Sequence, residues 1–232
     1  MVRGPVSFSE RPQMSDAPRP PPNASIADTL SGGRLSAPSA LRNQDAITAL
    51  LAEHAPATGN ALEIASGTGQ HIVAHAAAMP GLTWQPTDIE PERLISIDAW
   101  AREANLPNLR PAQHLDASAP GWPQTLPAQD LIVLVNLLHL IDTPSVRTTL
   151  SQAALALAPS GCLVLYGPFL RDGRTTSQGD ANFHASLTAS DPGIGYKNDA
   201  DIAVWLDQAG LTLSLTQEMP ANNLAFVAHK PA

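Results

Sequence analysis

Apolar residues fall along this chain in two alternating textures, one with a helical period and one nearly continuous. Residues 39–55, SALRNQDAITALLAEHA, carry apolar side chains at 47, 50 and 51, a helix-like spacing with Ser39 as the candidate N-cap. NALEIASGTGQ at 60–70 follows as a short apolar strand entering a glycine-containing loop. QHIVAHAAAM is an Ala-rich helix that stops at Pro80–Gly81, and TWQPTD is a second strand. PERLISIDAWAREAN reads as a helix with Pro91 in its first turn, and LRPAQHLD as a weaker third strand. DLIVLVNLL at 130–138 is almost wholly apolar, the signature of a central parallel strand covered on both faces. SVRTTLSQAALALA is a further helix, ended by Pro159-Ser160-Gly161, and GCLVLYGPF a further buried strand. Residues 170–198 are polar and show no strong period. DADIAVWLDQAG is a helix stopped at Gly210, and LTLSLTQ and NLAFVAHK are closing strands.

Strands alternating with helices imply a mostly parallel sheet wrapped on both faces. The turn from Met219 to Asn223 is too short for a crossover helix, so the last two strands should form an antiparallel edge hairpin. In such an α/β sheet, ligands bind beyond the carboxyl ends of the strands. Function is therefore expected in the loops that begin near Ser66, Asp88, Asp116, Asn136 and Tyr166.

Composition narrows this picture. The chain has 232 residues, one cysteine and a formal charge of −8, which argues against a nucleic-acid partner and excludes a disulfide framework. No apolar run approaches the roughly 18 residues that span a bilayer. The expectation is a soluble, acidic, cytoplasmic protein whose oligomeric state is left open. Seven of the 22 prolines lie within residues 1–38, which reads as a flexible proline-rich extension, with a lid that orders over a ligand as the alternative. Residues 39–232 then form one domain.

The glycine loop carries the first chemistry. Gly67-Thr68-Gly69 follows a strand and opens a helix, where glycine lets a ligand approach the backbone closely. No Lys completes a phosphate-binding loop, and Ile72 stands where a dinucleotide fingerprint requires a small residue. Glu63 sits four residues before Gly67, and Asp88 ends the second strand, where a carboxylate can accept from both ribose hydroxyls. Asp116-Ala117 is placed for an adenine edge. A nucleoside without phosphate fits this set better than a dinucleotide.

EIASGTG, TDIEPERL, LDAS, LVNLLHL and GCLVLYGPF together resemble the ordered motifs of the class I S-adenosylmethionine (SAM) methyltransferases. More narrowly, RNQDAI, EIASGTGQH, LTWQPTD, LYGPF and MPANNLAF resemble a methyltransferase-like family catalogued as a domain of unknown function. The resemblance implies a Rossmann-like seven-stranded, mostly parallel sheet with an antiparallel C-terminal edge hairpin, and SAM as cofactor. It implies that Glu63 reaches the methionine amino group, that Gly67 and Gly69 let the backbone pass beside the cofactor, and that Asp88 holds the ribose. Asp116 and Ala117 would frame the adenine, and Asn136 and Leu137 would lie near the sulfonium. Ala65 stands where the family has its first glycine, which implies a slightly different approach to the cofactor.

The implied reaction is methyl transfer to a small-molecule acceptor. A SAM- or nucleoside-binding module without turnover is the alternative, as is a methyltransferase acting on protein or RNA. His139 is the candidate base and Tyr166 a candidate hydrogen-bonding partner of the acceptor; packed core side chains are the competing reading of both. Arg42, Asn43 and Tyr196 are candidate acceptor contacts, against ordinary helix-face and loop roles. Cys162 is expected in the core. His71 and His75, four residues apart, lack a third metal ligand, so no metal is expected.

Overall fold

The computed structural model describes residues 27–232. Seven strands form one sheet: β3 (Gly59–Ile64), β4 (Leu82–Asp88), β5 (Gln113–His114), β6 (Gln129–Val135), β7 (Leu157–Pro168), β8 (Thr212–Met219) and β9 (Asn223–His229). Their spatial order is β5-β4-β3-β6-β7-β9-β8. The first five in chain order pair in parallel, while β9 runs antiparallel to both β7 and β8. The expected closing hairpin is thus present, with β9 inside and β8 at the edge. No helix among the described residues is long and apolar enough to cross a membrane.

The two-residue period of the central strands divides the interior into two cores. Ile132, Leu134, Leu163, Leu165 and Phe226 point to one face, covered by α4 (Thr143–Ala156) and α6 (Asp199–Gln208) through Val146, Leu150, Ile202 and Leu206. Ala61, Val133, Val135, Val164, Tyr166 and Val227 point to the other. That face is covered by α1 (Pro38–His54), α2 (Gln70–Ala78) and α3 (Pro91–Ala104) through Ile47, Leu51, Ile72 and Ile97. Both sides of β6 are covered, which is why its sequence has no polar alternation.

Three local outcomes differ from the sequence reading. Pro38 takes the first helical position of α1 and Ala37 is its N-cap, so Ser39 lies inside the helix. Proline needs no N–H partner there, and the Ala37 N–H instead donates to Gln70 Oε1 at 2.7 Å. The polar stretch contains a helix, α5 (Gln178–Ser190), whose N-cap Ser177 accepts from Asp180 N–H. Only Leu187 of α5 is buried, so its apolar period was too thin to stand out.

The third difference concerns residues 27–38. They fold as a small hairpin of β1 (Asp28–Thr29) and β2 (Leu35–Ser36) that is tied to the domain. Leu35 N–H donates to Ser96 Oγ at 2.8 Å, Trp100 Nε1 donates to Leu35 O at 2.9 Å, and Arg34 pairs with Glu103 while stacking on Trp100. Ordered structure therefore begins before residue 39. The remainder of the expected extension, residues 1–26, lies outside the described residues.

Candidate functional site

The chain leaves β3, crosses to β4 and β5 on one side, then returns through β6 on the other side of β3. In open α/β sheets ligands bind at such a reversal, which here lies at the carboxyl ends of β3 and β6. The loop Ala65–Gly69 occupies that end. Gly67 and Gly69 have φ of 60° and 91°, the left-handed conformations that glycine adopts without strain. A side chain added at Gly67 would meet only Ala65 O, at 4.0 Å, so the space above this backbone is open. At Gly69 a Cβ would lie 2.8 Å from Ile97 Cα, so this glycine serves close packing of α3 against the loop. Ala65 is itself left-handed, at φ 54°, which supplies the physical reason for glycine in the related motif.

Asp88 holds this loop from the end of β4. Its Oδ2 accepts from Gly67 N–H at 2.9 Å and its Oδ1 from Glu90 N–H at 3.0 Å. Burial raises its pKa, and those backbone bonds with nearby Arg93 oppose the rise. Sequence reasoning missed a set of supporting polar residues. Ser96 Oγ donates to Thr68 O at 2.7 Å, Thr68 Oγ1 donates to Gln70 Oε1 at 2.9 Å, and Thr87 Oγ1 donates to Glu63 O at 2.8 Å. Short polar residues read as ordinary loop composition; their burial is what marks them.

Glu63 is buried, with its carboxyl turned beneath α1 and α2 toward His75, whose Nε2 lies 3.8 Å from Glu63 Oε1. Burial pushes this carboxyl up to about 8; the Ser66 hydroxyl opposes the shift and the Asp88 charge adds to it. Asp116 is half-buried and closes its own turn, with Oδ1 accepting from Ser118 N–H and Oγ at 2.9 and 2.6 Å. Ala117 is buried, and its carbonyl accepts from Trp122 Nε1 and Thr149 Oγ1. Asn136, at φ 57°, makes the turn that leaves β6, and its N–H donates to Tyr166 O at 2.8 Å. Leu137 packs against the α4 side of the core, as does Ala65.

The acceptor-side candidates separate into two groups. His139 is 5% exposed, edge-on to Phe183 and Tyr196 at ring distances of 5.8 and 6.1 Å. Burial, with the Lys197 charge second, holds its pKa down to about 3, so the ring is neutral. Tyr196 donates from its hydroxyl to Asp180 Oδ1 at 3.3 Å, and joins Leu187 and Ile194 in a small core under α5. Lys197 Nζ, missed in the sequence, is buried there and donates to Ile141 O and Gly195 O at 2.8 and 2.9 Å. Tyr166 instead lies on the α1 side, with a buried hydroxyl that has no hydrogen-bond partner. Asn43 on α1 bonds His71 Nε2 through Oδ1 at 2.8 Å, and Arg42 is exposed. Cys162 is buried in β7, and burial pushes its thiol up to about 12.

Sheet order, switch-point glycine loop and strand-end aspartate together define the Rossmann-like fold of the class I methyltransferases. Solved structures agree on that fold. An O-methyltransferase family protein from Burkholderia thailandensis superposes with TM-score 0.71 at 17% identity, covering 84% of this chain and 58% of its own. An O-methyltransferase family 2 protein from Planctomyces limnophilus, solved with apigenin, gives 0.66 at 20% identity, covering 81% and 61%. Human N-acetylserotonin methyltransferase, solved with SAM, gives 0.66 at 16% identity, covering 84% and 53%. The chain thus spans little more than half the length of these proteins. It belongs to the family described as "Protein of unknown function (DUF938)", whose model matches residues 34–230.

Proposed function

We propose that this protein is a SAM-dependent methyltransferase acting on a small-molecule acceptor. The observation that carries the reading is the open, left-handed backbone at Gly67 held by the Asp88 carboxylate at the sheet's switch point. These residues fit a nucleoside: a strand-end carboxylate such as Asp88 suits ribose hydroxyls, and no phosphate-binding lysine or dinucleotide glycine pattern is present. Bound SAM would supply a methyl group on a sulfonium, already a good leaving group. The protein's task is then alignment, with Asp116 and Ala117 at the adenine side and Asn136 and Leu137 at the sulfonium side. His139, just past β6, is the base we assign: its ring nitrogen would take the acceptor's proton as the acceptor–methyl bond forms and the methyl–sulfonium bond breaks, a role that burial of the ring opposes by lowering its proton affinity. Arg42, Asn43 and Tyr196 are the acceptor contacts we assign, with Tyr166 as a hydrogen-bonding partner of the acceptor. The solved structures that share this fold include O-methyltransferases, which supports an oxygen acceptor.

A binding module without turnover is the second reading, supported by the cover that Phe183 and Tyr196 place over His139. Calorimetry with SAM, its demethylated product and NAD separates the classes: saturable NAD binding without SAM binding refutes the proposal. Asp88→Ala is expected to weaken SAM by about 10- to 150-fold, the equivalent of about 1.5–3 kcal/mol for a hydrogen bond to a charged group. His139→Gln is expected to slow turnover by about 10²- to 10⁴-fold with SAM affinity preserved. Incubating labelled SAM with cell extract identifies the acceptor; label confined to protein or RNA refutes the small-molecule part.

A further inference from the structure

Beneath the glycine loop, α1, α2, β3 and β4 enclose a group of polar side chains in which Thr48, His71, His75 and Trp84 have no part in the methyl-transfer reading, and which surrounds the Glu63 that reading puts near the cofactor. Thr48 Oγ1 lies 2.9 Å from His75 Nδ1, and His75 Nε2 lies 3.8 Å from Glu63 Oε1. His71 stacks parallel to His75 at 5.8 Å and is held by Asn43. Glu63 Oε2, His75 Nε2 and Trp84 Nε1 are all buried without a hydrogen-bond partner, and the Trp84 ring lies 5.8 Å from that of His75. Buried polar atoms are rarely left unpaired, and here an acceptor and two nitrogens share one side of the sheet.

The arrangement makes chemical sense for a carboxyl that changes its charge. A neutral carboxylic acid tolerates this apolar enclosure, whereas a carboxylate requires donors. If the Thr48 hydroxyl donates to His75 Nδ1, the imidazole carries its hydrogen on Nε2, directed at Glu63. A small closure of the 3.8 Å gap then gives the ionised carboxyl a donor that it lacks in the neutral state.

We propose that Glu63 carries a proton in the unliganded protein and releases it to solvent when a cationic ligand occupies the loop above, with His75 as the positioning residue that receives the resulting carboxylate. The inference rests on the reading of that loop as a SAM site. The Glu63 O–H bond breaks, its proton passes to buffer, and the negative charge left behind balances the incoming cation. The surrounding titratable groups favour the neutral starting state. Asp88 on β4 repels a second negative charge, and burial holds His71 and His75 on α2 neutral, at about 4 and about 3. Tyr166 and Cys162 on β7 have raised pKa values, so they remain neutral too. On α1, Arg42, Asp45 and Glu53 are exposed, and Asn43 and Thr48 carry no charge. Burial puts Glu63 itself near 8, so the proton is present at neutral pH.

The test is calorimetry of the full chain with SAM at pH 7 in two buffers of different ionisation enthalpy, repeated from pH 6 to 9. Glu63→Gln supplies the baseline, because it retains any ionisation of the ligand itself. Relative to that baseline, the wild type should release close to one proton, and its SAM affinity should tighten by about tenfold per pH unit. The demethylated product, which lacks the sulfonium charge, should release less. His75→Phe should move the end of the pH slope upward by about one unit, so affinity falls at pH 7 and recovers at pH 9; a packing role alone would weaken binding equally at every pH. Infrared difference spectra of the wild type, which need no folded His75 variant, should show loss of a protonated-carboxyl C=O stretch on adding SAM. SAM binding with no extra proton release and no loss of that band overturns the inference, whereas failure to bind SAM at any pH overturns the methyltransferase reading instead.

Discussion

Replacing Asp88 by Asn removes one negative oxygen while keeping the side chain's size, which isolates what the carboxylate does for the loop. In the wild type its two oxygens accept from two backbone donors, Gly67 N–H at 2.9 Å and Glu90 N–H at 3.0 Å. A carboxamide has a single acceptor oxygen, so its NH₂ must face whichever backbone donor is not served. Asp88 is only 6% exposed, and water offers little compensation at the unserved N–H. A lost hydrogen bond to a charged group is worth about 1.5–3 kcal/mol. For a chain of this size each kcal/mol moves the melting midpoint by about 2–4 °C, so a fall of about 3–12 °C is expected. Thermal melts followed by circular dichroism read that shift. Hydrogen exchange should localise the loosening to residues 66–69 and the start of α3, with β6 and β7 unchanged. A variant melting within about 1 °C of wild type, with unaltered exchange at Gly67, would show that the carboxylate is not what pins the loop.

Two further outcomes follow from the same geometry. Ala65→Gly removes a left-handed alanine, whose strain of about 1–2 kcal/mol is partly offset by the greater freedom of glycine in the unfolded chain. A net stabilisation of about 0.5–1 kcal/mol should appear as a higher urea midpoint, and a lower midpoint would contradict the strain argument. Glu63, raised from its ordinary value of 4.5 to about 8 by burial, binds its proton more tightly folded than unfolded. Its contribution is therefore complete below about pH 4.5 and is lost as pH rises toward 8, at about 1.4 kcal/mol per pH unit. Glu63→Gln should flatten that decline in urea titrations between pH 5 and 8, and an unchanged slope would assign it to another group.

Much of the architecture was legible because it follows from local patterns. The apolar run through Leu131–Val135 marked a central strand, since only a strand covered on both faces tolerates hydrophobic residues at every position. The Met219–Asn223 turn marked an antiparallel hairpin, since no crossover fits in so few residues. What escaped depended on long-range contacts. α5 fully buries only Leu187 and is placed by Asp180, whose distant donors are Tyr196 and Asn222. The hairpin at 28–36 is held by Ser96 and Trp100, more than sixty residues away in the chain. A local pattern contains no trace of either.

The candidate site divides the same way. Residue order alone selected the carboxylates and glycines of the loop, because strand ends and backbone freedom are local properties. Only tertiary structure decided what surrounds each group. Asp88 is turned to the loop and tied by two backbone donors, while Glu63, on the neighbouring strand, is turned under the helices and faces an imidazole. The two carboxyls are alike in sequence and differ in folded chemistry. The reason is physical: a carboxyl's proton affinity depends on how much water remains and which charges and donors stand within a few ångströms, and packing of distant segments sets both.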